Sequence, residues 1–142
     1  MIQIEKLDRI PRLEWSEHTN RQAEEVFKVE ASIMRRSKEV YLVSGEDGPL
    51  MIVGLIQGSL ISGWHLWCMV CKCDLRKHVR SLRLMLHTLV KKLGHLMVTV
   101  EKSFNAGIRF AKFMNFRLTS EVDSIDHKTY CFFSMDRAWL TQ

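Results

Sequence analysis

Three strand-like runs follow one another between residues 38 and 73, and a helical repeat begins shortly after them. The runs are "KEVYLVS" (38–44), "LMIVGLIQGSL" (50–60) and "GWHLWCMVCKC" (63–73). The turn "GEDGP" joins the first two, because glycine supplies positive φ there and Pro49 cannot extend a strand ladder. A meander of neighbouring strands that leads into a helix predicts an α+β fold.

The N-terminal quarter combines one short strand with a long helical pattern. "IQIEKL" (2–7) alternates apolar and polar residues, as a half-buried strand does. Residues 12–36 carry apolar side chains at helical spacing, and Thr19 with Gln22 has the spacing of a capping box. We therefore predict a strand and then a helix ahead of the meander.

The C-terminal half alternates helices and strands. From Val79 to Leu93 the apolar residues fall on one helical face, and Gly94 is placed to end that helix. "HLMVTVE" (95–101) predicts a buried strand, and Asn105 is placed to cap a short helix. Two more strands, "FRLTSEV" (116–122) and "TYCFFSM" (129–135), are predicted to pair across the turn "DSIDHK". The predicted order of elements is β-α-β-β-β-α-β-α-β-β.

Composition is typical of a globular protein. The chain has 142 residues, 46% hydrophobic and 26% charged, with no repeat or linker-like segment, so we predict a single domain over residues 1–142. Apolar runs such as "LMIVGLI" (50–56) are too short to span a bilayer, and the N-terminus lacks the pattern of a signal peptide. We expect an intracellular protein with its four cysteines reduced and no membrane partner.

Three cysteines and a histidine between residues 65 and 73 raise the question of a zinc site. Zinc needs four ligands that converge on one point. Strand alternation, however, points His65, Cys71 and Cys73 to one face and Cys68 to the other. No second Cys-x-x-Cys or spaced histidine pair completes the set. We therefore predict no metal site and interpret the cysteines as small apolar side chains.

Basic residues cluster where the long helix is predicted to start. Arg76, Lys77 and Arg80 stand at its N-terminal end, where the helix dipole disfavours cations. The net charge of +5 and the pI of about 9.2 permit a polyanionic partner and do not require one. Two interpretations stay open: the side chains hold an anionic ligand or partner, or they form part of a solvated basic face.

The last third of the sequence, "VTVEKSFNAGIRFAKFMNFRLTSEV…TYCFFSM", resembles the ending of the GNAT family of N-acetyltransferases. There an N-x-x-A-I-x-F-Y-E-K-L-G-F pattern leads into a hairpin, and it is matched by Ile108, Arg109, Phe110, Met114 and Phe116. The order of predicted elements resembles the same fold over nearly the whole chain. The resemblance implies a GNAT-like mixed β-sheet flanked by helices, acetyl-CoA as cofactor and acyl transfer to an amine.

The sequence departs from the family where the cofactor is held. The family's pyrophosphate loop reads R/Q-x-x-G-x-G/A, and its glycines let backbone N–H groups approach the phosphates. The matching window runs from Arg76 to Ser81, with Val79 and Ser81 where glycine or alanine is expected. Ala111 replaces the tyrosine that protonates the leaving thiolate in many members. Asn115 stands at the family's "GF" glycine and tolerates a left-handed backbone.

The resemblance implies a cofactor site along the third meander strand and the start of the next helix. Its residues are Met69, Cys71, Arg76, Lys77, Val79, Arg80, Ser81 and Asn105. Glu101 and His65 are the candidate general bases, since both border the cleft between the two central strands of this fold. Each also has a simpler interpretation, with His65 packed between two tryptophans and Glu101 solvated at a strand end.

Three segments, "GWHLW", "RKHVRSLRLML" and "IRFAKF", resemble more narrowly the small GNAT-like internal virion and assembly proteins of short-tailed bacteriophages. This implies a catalytically degenerate protein of the host cytoplasm or the virion, acting in assembly or regulation through contacts with a virion or host protein. The alternative is an active acetyl-CoA-dependent N-acetyltransferase with a phosphate site built from Arg76, Lys77 and Arg80. Its acceptor would be a protein or small-molecule amine. Nucleic acid is a further partner that the basic helix permits.

Overall fold

The computed structural model describes residues 2–58 and 63–141. Its contacts divide the chain into two compact units, Met1–Gln57 with Leu66–His78 and Gly58–His65 with Val79–Gln142. We call these the first unit and the second unit. The single domain expected over residues 1–142 stays a prediction. Among the described residues, no helix combines the length and the apolar character needed to cross a membrane.

The described residues form a mixed sheet of seven strands with helices between them. The strands are β1 (Gln3–Lys6), β2 (Ser37–Gly45), β3 (Gly48–Gln57), β4 (Trp64–Val70), β5 (His95–Glu101), β6 (Arg117–Asp123) and β7 (Thr129–Asp136). The α-helices are α1 (Glu17–Lys28), α2 (Glu30–Arg36), α3 (Val79–Leu93) and α4 (Asn105–Phe113), with 3-10 helices at Leu75–His78 and Arg137–Thr141. The hydrogen-bonded strand order is β1-β2-β3-β4-β5-β7-β6. The predicted α+β class is confirmed.

The N-terminal helical pattern forms two helices and starts later than its spacing suggested. α1 begins after Ser16, whose hydroxyl oxygen accepts a hydrogen bond from the Thr19 N–H at 3.4 Å. The predicted capping box of Thr19 and Gln22 is therefore wrong, because Ser16 supplies the cap. Val29, with φ of −114°, separates α1 from α2.

Tertiary pairing keeps the preceding residues out of the helix. Trp15 forms an antiparallel bridge with Cys71, just past the end of β4. Both side chains are buried in the core of the first unit, which also contains Ile10, Ala23, Val40, Ile52 and Met69. The predicted strand 63–73 is accordingly shorter, since β4 stops at Val70 and Cys71 only makes this bridge. Residues 59 and 60 of the predicted strand 50–60 lie outside the described residues.

Trp67 requires the glycine that β3 places opposite it. A Cβ atom at Gly54 would lie 2.0 Å from the Trp67 indole, so only glycine fits beneath the ring. The indole Nε1 donates a hydrogen bond to Ser37 Oγ at 2.9 Å. The ring is therefore held across β3 by both packing and a hydrogen bond.

The second unit is built around β5. Its antiparallel register with β7 runs from His95↔Asp136 to Glu101↔Tyr130. β6 pairs antiparallel with β7, as predicted, with a bulge between Leu118 and Ser120. The first two residues of β4 also belong to this unit and pair in parallel with β5, as Trp64↔Leu96 and His65↔Met97.

Both helices of the second unit end on a residue with positive φ. Gly94 has φ of 91° and its N–H donates to the Val90 carbonyl at 2.7 Å, which confirms the predicted end of α3. Asn115, after α4, has φ of 70°, as expected for a residue at the family's glycine. The predicted cap at Asn105 is wrong, because Phe104 holds the N-cap position and Asn105 is the first helical residue.

Candidate functional site

A segment near the N-terminus, residues 14–19, forms hydrogen bonds to the backbone at the C-terminal end of β4. The Val70 N–H donates to Thr19 Oγ1 at 3.1 Å, and the Val70 carbonyl accepts from the Ser16 N–H at 2.8 Å. Beyond the strand, the Lys72 N–H donates to the Glu14 carbonyl at 2.8 Å. These residues all belong to the first unit, and Thr19 is buried, with 7% of its surface exposed.

Cys71, between Val70 and Lys72, directs its backbone N–H to the opposite side, toward β3. The Cys71 N–H donates to the Leu50 carbonyl of β3 at 2.9 Å. Every backbone N–H from Val70 to Lys72 therefore already has an acceptor within the chain. An extended ligand with amide groups, such as the arm of CoA, adds to a strand edge by bonding groups of this kind. At Val70 and Lys72 the chain's own N-terminal segment makes these bonds.

The side chain of Asp74 caps the N-terminal end of the helical segment that follows β4. Asp74 Oδ1 accepts hydrogen bonds from both the N–H and the Nε of Arg76, each at 3.2 Å. The hydrogen bond from the Arg76 side chain lowers the pKa of Asp74, so the carboxylate is ionised at neutral pH. The free N–H groups at a helix start favour an anion. Here Asp74 supplies that anion at the 3-10 helix Leu75–His78.

His78 ends the 3-10 helix and packs on the β2–β3 hairpin. A Cβ atom at Gly45 would lie 2.6 Å from Cε1 of the His78 ring, so glycine is needed for this contact. Val79 follows as the first residue of α3. Arg76 and Lys77, on the 3-10 helix, are exposed.

A cavity of about 430 Å³ lies within the first unit beside this junction. Its lining residues are Leu13, Glu14, Asp47, Gly48, Pro49, Leu50, Cys71, Lys72, Cys73, Asp74, Lys77 and His78. The volume is within the range of small-molecule sites. Three carboxylates face two lysines around it, so its formal charge is negative when His78 is neutral. That balance suits a neutral or cationic ligand better than a diphosphate.

The two thiols at the cavity are poor nucleophiles. Burial and the neighbouring Cys73 raise the pKa of Cys71 to about 11, and burial together with Asp74 also raises the pKa of Cys73. Both thiols are therefore protonated at neutral pH, whereas nucleophiles and metal ligands need the thiolate. Cys68 is exposed while Cys71 is buried. Over residues 2–58 and 63–141, no group of three or more His, Cys, Asp or Glu is arranged to hold a metal ion.

The candidate bases lie in the second unit. Glu101 ends β5, and its Oε1 accepts a hydrogen bond from Ser103 Oγ at 3.1 Å and lies 3.9 Å from Lys128 Nζ. Its carboxylate is thus engaged by one residue of the β5–α4 connection and one of the β6–β7 turn. His65, in β4, is half-buried and pairs through its backbone with Met97.

Ala111, aligned with the family's tyrosine, is a buried packing residue. Ala111 is 3% exposed, and its carbonyl accepts the Phe116 N–H at 3.0 Å. Asn105, at the start of the same helix, is exposed. Within the described residues of α4, no side chain carries an ionisable hydroxyl or thiol. The helix therefore offers basic side chains and no general acid of the tyrosine type.

The predicted cofactor residues are divided between the two units. Cys71 and Lys77 line the same cavity, whereas Met69 is buried in the core of the first unit. Arg76 belongs to that unit and is held by Asp74. The other four lie on α3 and α4 of the second unit: Val79, Arg80, Ser81 and Asn105. Their role in binding acetyl-CoA stays a prediction.

Sequence reasoning missed the residues that bond to the end of β4 and to the start of the 3-10 helix. Asp74 directly precedes the helical run, and an Asp in that place is a recognised N-cap signal that could have identified it. Glu14 and Thr19 gave no such signal, because their bonds reach more than 50 residues along the chain. Only the folded chain brings them to β4.

Comparison with known proteins identifies the fold. No protein-family model matches this sequence, and no curated protein has a sequence with significant similarity to it. Solved structures do match: a GNAT-family acetyltransferase from Bacillus cereus ATCC 10987 has a TM-score of 0.68 at 12% identity, over 96% of this chain and 98% of its own. An IAA acetyltransferase from Bacillus cereus ATCC 14579 has a TM-score of 0.63 at 13% identity, over 96% and 99%.

A third match was solved with its cofactor. A ribosomal-protein α-N-acetyltransferase in complex with coenzyme A has a TM-score of 0.62 at 10% identity, over 80% of this chain and 72% of its own. At sequence identities this low, structural similarity establishes the fold but not the activity. The chain therefore has the fold of the GNAT acetyltransferases.

Proposed function

We propose that this protein is a catalytically degenerate member of the GNAT fold that acts through protein contacts. Its role is in the assembly or interior of a short-tailed bacteriophage particle, or in regulation within the host cytoplasm. The partner is a virion or host protein. The occupied edge of β4 supports the loss of the cofactor, and the resemblance of three sequence segments to the phage proteins supports the role in the particle.

The bonds at that edge oppose an extended cofactor. Thr19 Oγ1, the Ser16 N–H and the Glu14 carbonyl satisfy the backbone groups of Val70 and Lys72. A ligand that added to the edge would have to break these bonds and leave a buried hydroxyl without its partner. The N-terminal segment thus supports a closed site.

The charges beside the edge support the same conclusion. Asp74 holds the helix start that a phosphate would occupy, and it engages the Arg76 side chain. The nearby cavity has three carboxylates against two lysines. A diphosphate placed there would be repelled by the carboxylates and would have to compete with Asp74 for Arg76.

Acetyl-CoA binding by isothermal calorimetry tests the loss of the cofactor. We expect no saturable heat at moderate or at low salt, with a GNAT enzyme of known activity as the positive control. Saturable micromolar binding that disappears in Arg76→Ala or Arg80→Ala would instead overturn the loss of the cofactor and favour the active acetyltransferase. Arg21→Ala is the matched control, since Arg21 is exposed on α1 and pairs with Glu17 away from β4.

Mass spectrometry of purified phage particles tests the virion role. The chain is expected inside nuclease-treated particles in a fixed ratio to the capsid protein. If it is found only in the infected-cell cytoplasm, the virion role is wrong and the regulatory role is retained.

A further inference from the structure

The net positive charge of the chain lies in the second unit. Of the 21 Lys and Arg residues, 11 lie in the first unit, together with 11 of the 16 Asp and Glu residues. The second unit holds the remaining 10 bases and 5 acids. The first unit is thus formally neutral, and the whole net charge of +5 belongs to the second unit.

Within the second unit, α3 and α4 carry this excess. Neither helix contains an Asp or Glu. Their six basic residues are Arg80, Arg83, Lys91, Lys92, Arg109 and Lys112. All are exposed except Arg83, which is half-buried. Across the described ranges 2–58 and 63–141, the side-chain ion pairs involve none of the six.

Two large apolar side chains project from the same helices. Leu84 of α3 is 69% exposed and Phe113 of α4 is 58% exposed. Each has an arginine one helical turn before it, Arg80 before Leu84 and Arg109 before Phe113, and residues four apart share a helix face. The two helices therefore present the same pair, a cation beside an exposed apolar side chain.

Arg83 joins the two pairs. Its Nε and Nη2 donate to the Phe113 carbonyl at 2.9 and 2.5 Å. A guanidinium at the C-terminal end of α4 also neutralises the negative end of that helix. The bond ties α3 to the last turn of α4, with Leu84 next to the donor in the chain and Phe113 supplying the acceptor carbonyl. We call the surface formed by Arg80, Leu84, Arg109 and Phe113 the α3–α4 surface.

We propose that the α3–α4 surface binds an acidic amphipathic segment of a partner protein. The inference rests on the proposed function and names the surface and chemistry of the contact. Carboxylates of the partner pair with the arginines, and its apolar face covers Leu84 and Phe113. Exposed apolar side chains surrounded by one sign of charge are typical of protein contacts. A nucleic acid would use the arginines, whereas the aliphatic Leu84 offers its phosphates and bases little.

Fluorescence anisotropy tests the surface on the full chain. The probe is a labelled amphipathic helical peptide with Glu on its polar face and Leu at i and i+4. We expect saturable binding that weakens as salt rises, because the arginine contacts are exposed. The double variant Leu84→Ala/Phe113→Ala and the double variant Arg80→Ala/Arg109→Ala should each weaken binding roughly tenfold or more.

Matched controls lie elsewhere in the second unit. Ile125→Ala removes a fully exposed apolar side chain between Asp123 and Asp126, and Lys128→Ala removes a base that pairs with Glu101. Both controls should bind the probe like the wild type.

Three results would overturn the inference. The first is no saturable binding of the peptide, and the second is equal affinity for a poly-Glu peptide of the same length. The third is tighter binding of a single-stranded oligonucleotide with no loss in Leu84→Ala. Acetyl-CoA binding by calorimetry concerns the proposed loss of catalysis alone, so the two ideas fail separately.

Discussion

Thr19→Val should open the edge of β4 without leaving a cavity, since valine has nearly the volume of threonine. The hydroxyl of Thr19 accepts the Val70 N–H at 3.1 Å and a hydrogen bond from Ser16 Oγ at 3.2 Å. With valine, the Val70 N–H loses its acceptor under a side chain that is only 7% exposed. An unsatisfied donor of this kind costs roughly 1–3 kcal/mol, and we take about 2 kcal/mol.

The loss of this hydrogen bond can be followed by three measurements. An unfolding entropy of about 2.1 cal/mol/K per residue gives about 0.3 kcal/mol/K for 142 residues, so Tm should fall by about 7 °C. Urea unfolding followed by tryptophan fluorescence should give the free energy change directly. Hydrogen exchange at the Val70 amide should be faster by more than about tenfold, since 1.4 kcal/mol corresponds to a factor of ten.

Two variants control the argument. Thr19→Ser keeps the acceptor and should retain protection of the Val70 amide. Thr88→Val removes a hydroxyl of the same kind from the exposed face of α3, where Thr88 Oγ1 donates to the Leu84 carbonyl at 2.8 Å, and should cost less than about 0.5 kcal/mol. If Thr19→Val unfolds like the wild type and Val70 stays protected, the edge is not held by Thr19.

Acidification should destabilise the protein, because burial and the Arg83 cation lower the pKa of His87 below its usual value of about 6.5. The unfolded chain then binds this proton more readily than the folded one, so the free energy of unfolding falls as the pH drops below about 6.5, and His87→Gln should reduce that fall in urea unfolding. Gly54→Ala should cost roughly 1–3 kcal/mol in the same assay, since its Cβ would lie 2.0 Å from the Trp67 indole, and Trp67→Phe should relieve part of that cost in the double variant. Arg83→Ala should speed amide exchange in the last turn of α4, because the guanidinium binds the Phe113 carbonyl, while exchange in α1 should not change.

The candidate site contains features that are local in the sequence and features that are not, and the effect of the local ones on cofactor binding stays a prediction. The missing glycines at Val79 and Ser81 and the alanine at 111 were read from the sequence alone, because they are single positions in a local pattern. The cap by Asp74 was within reach of the same reasoning, since Asp before a helical run is a local signal. The cover over β4 was not, because Glu14 and Thr19 contact residues more than 50 positions away.

The sequence by itself determined the elements whose apolar spacing matches their final burial. α3 ends at Leu93, just before Gly94, β5 spans 95–101 and β7 pairs with β6, all as local patterns predict. Periodicity works there because the same face that is apolar in the sequence is the face that packs.

Only the tertiary structure decided how the N-terminal segment is used. Residues 12–16 have helical spacing, yet Trp15 bridges Cys71 and the chain around it bonds to the end of β4. The backbone groups at that strand end need partners, and burying Trp15 with them outweighs the modest preference for a longer helix. The fold also sorts the charge, because the residues grouped in the first unit are formally neutral and those in the second carry the whole net charge. A sequence records the net charge of +5, but which residues share a surface is fixed only when the chain folds.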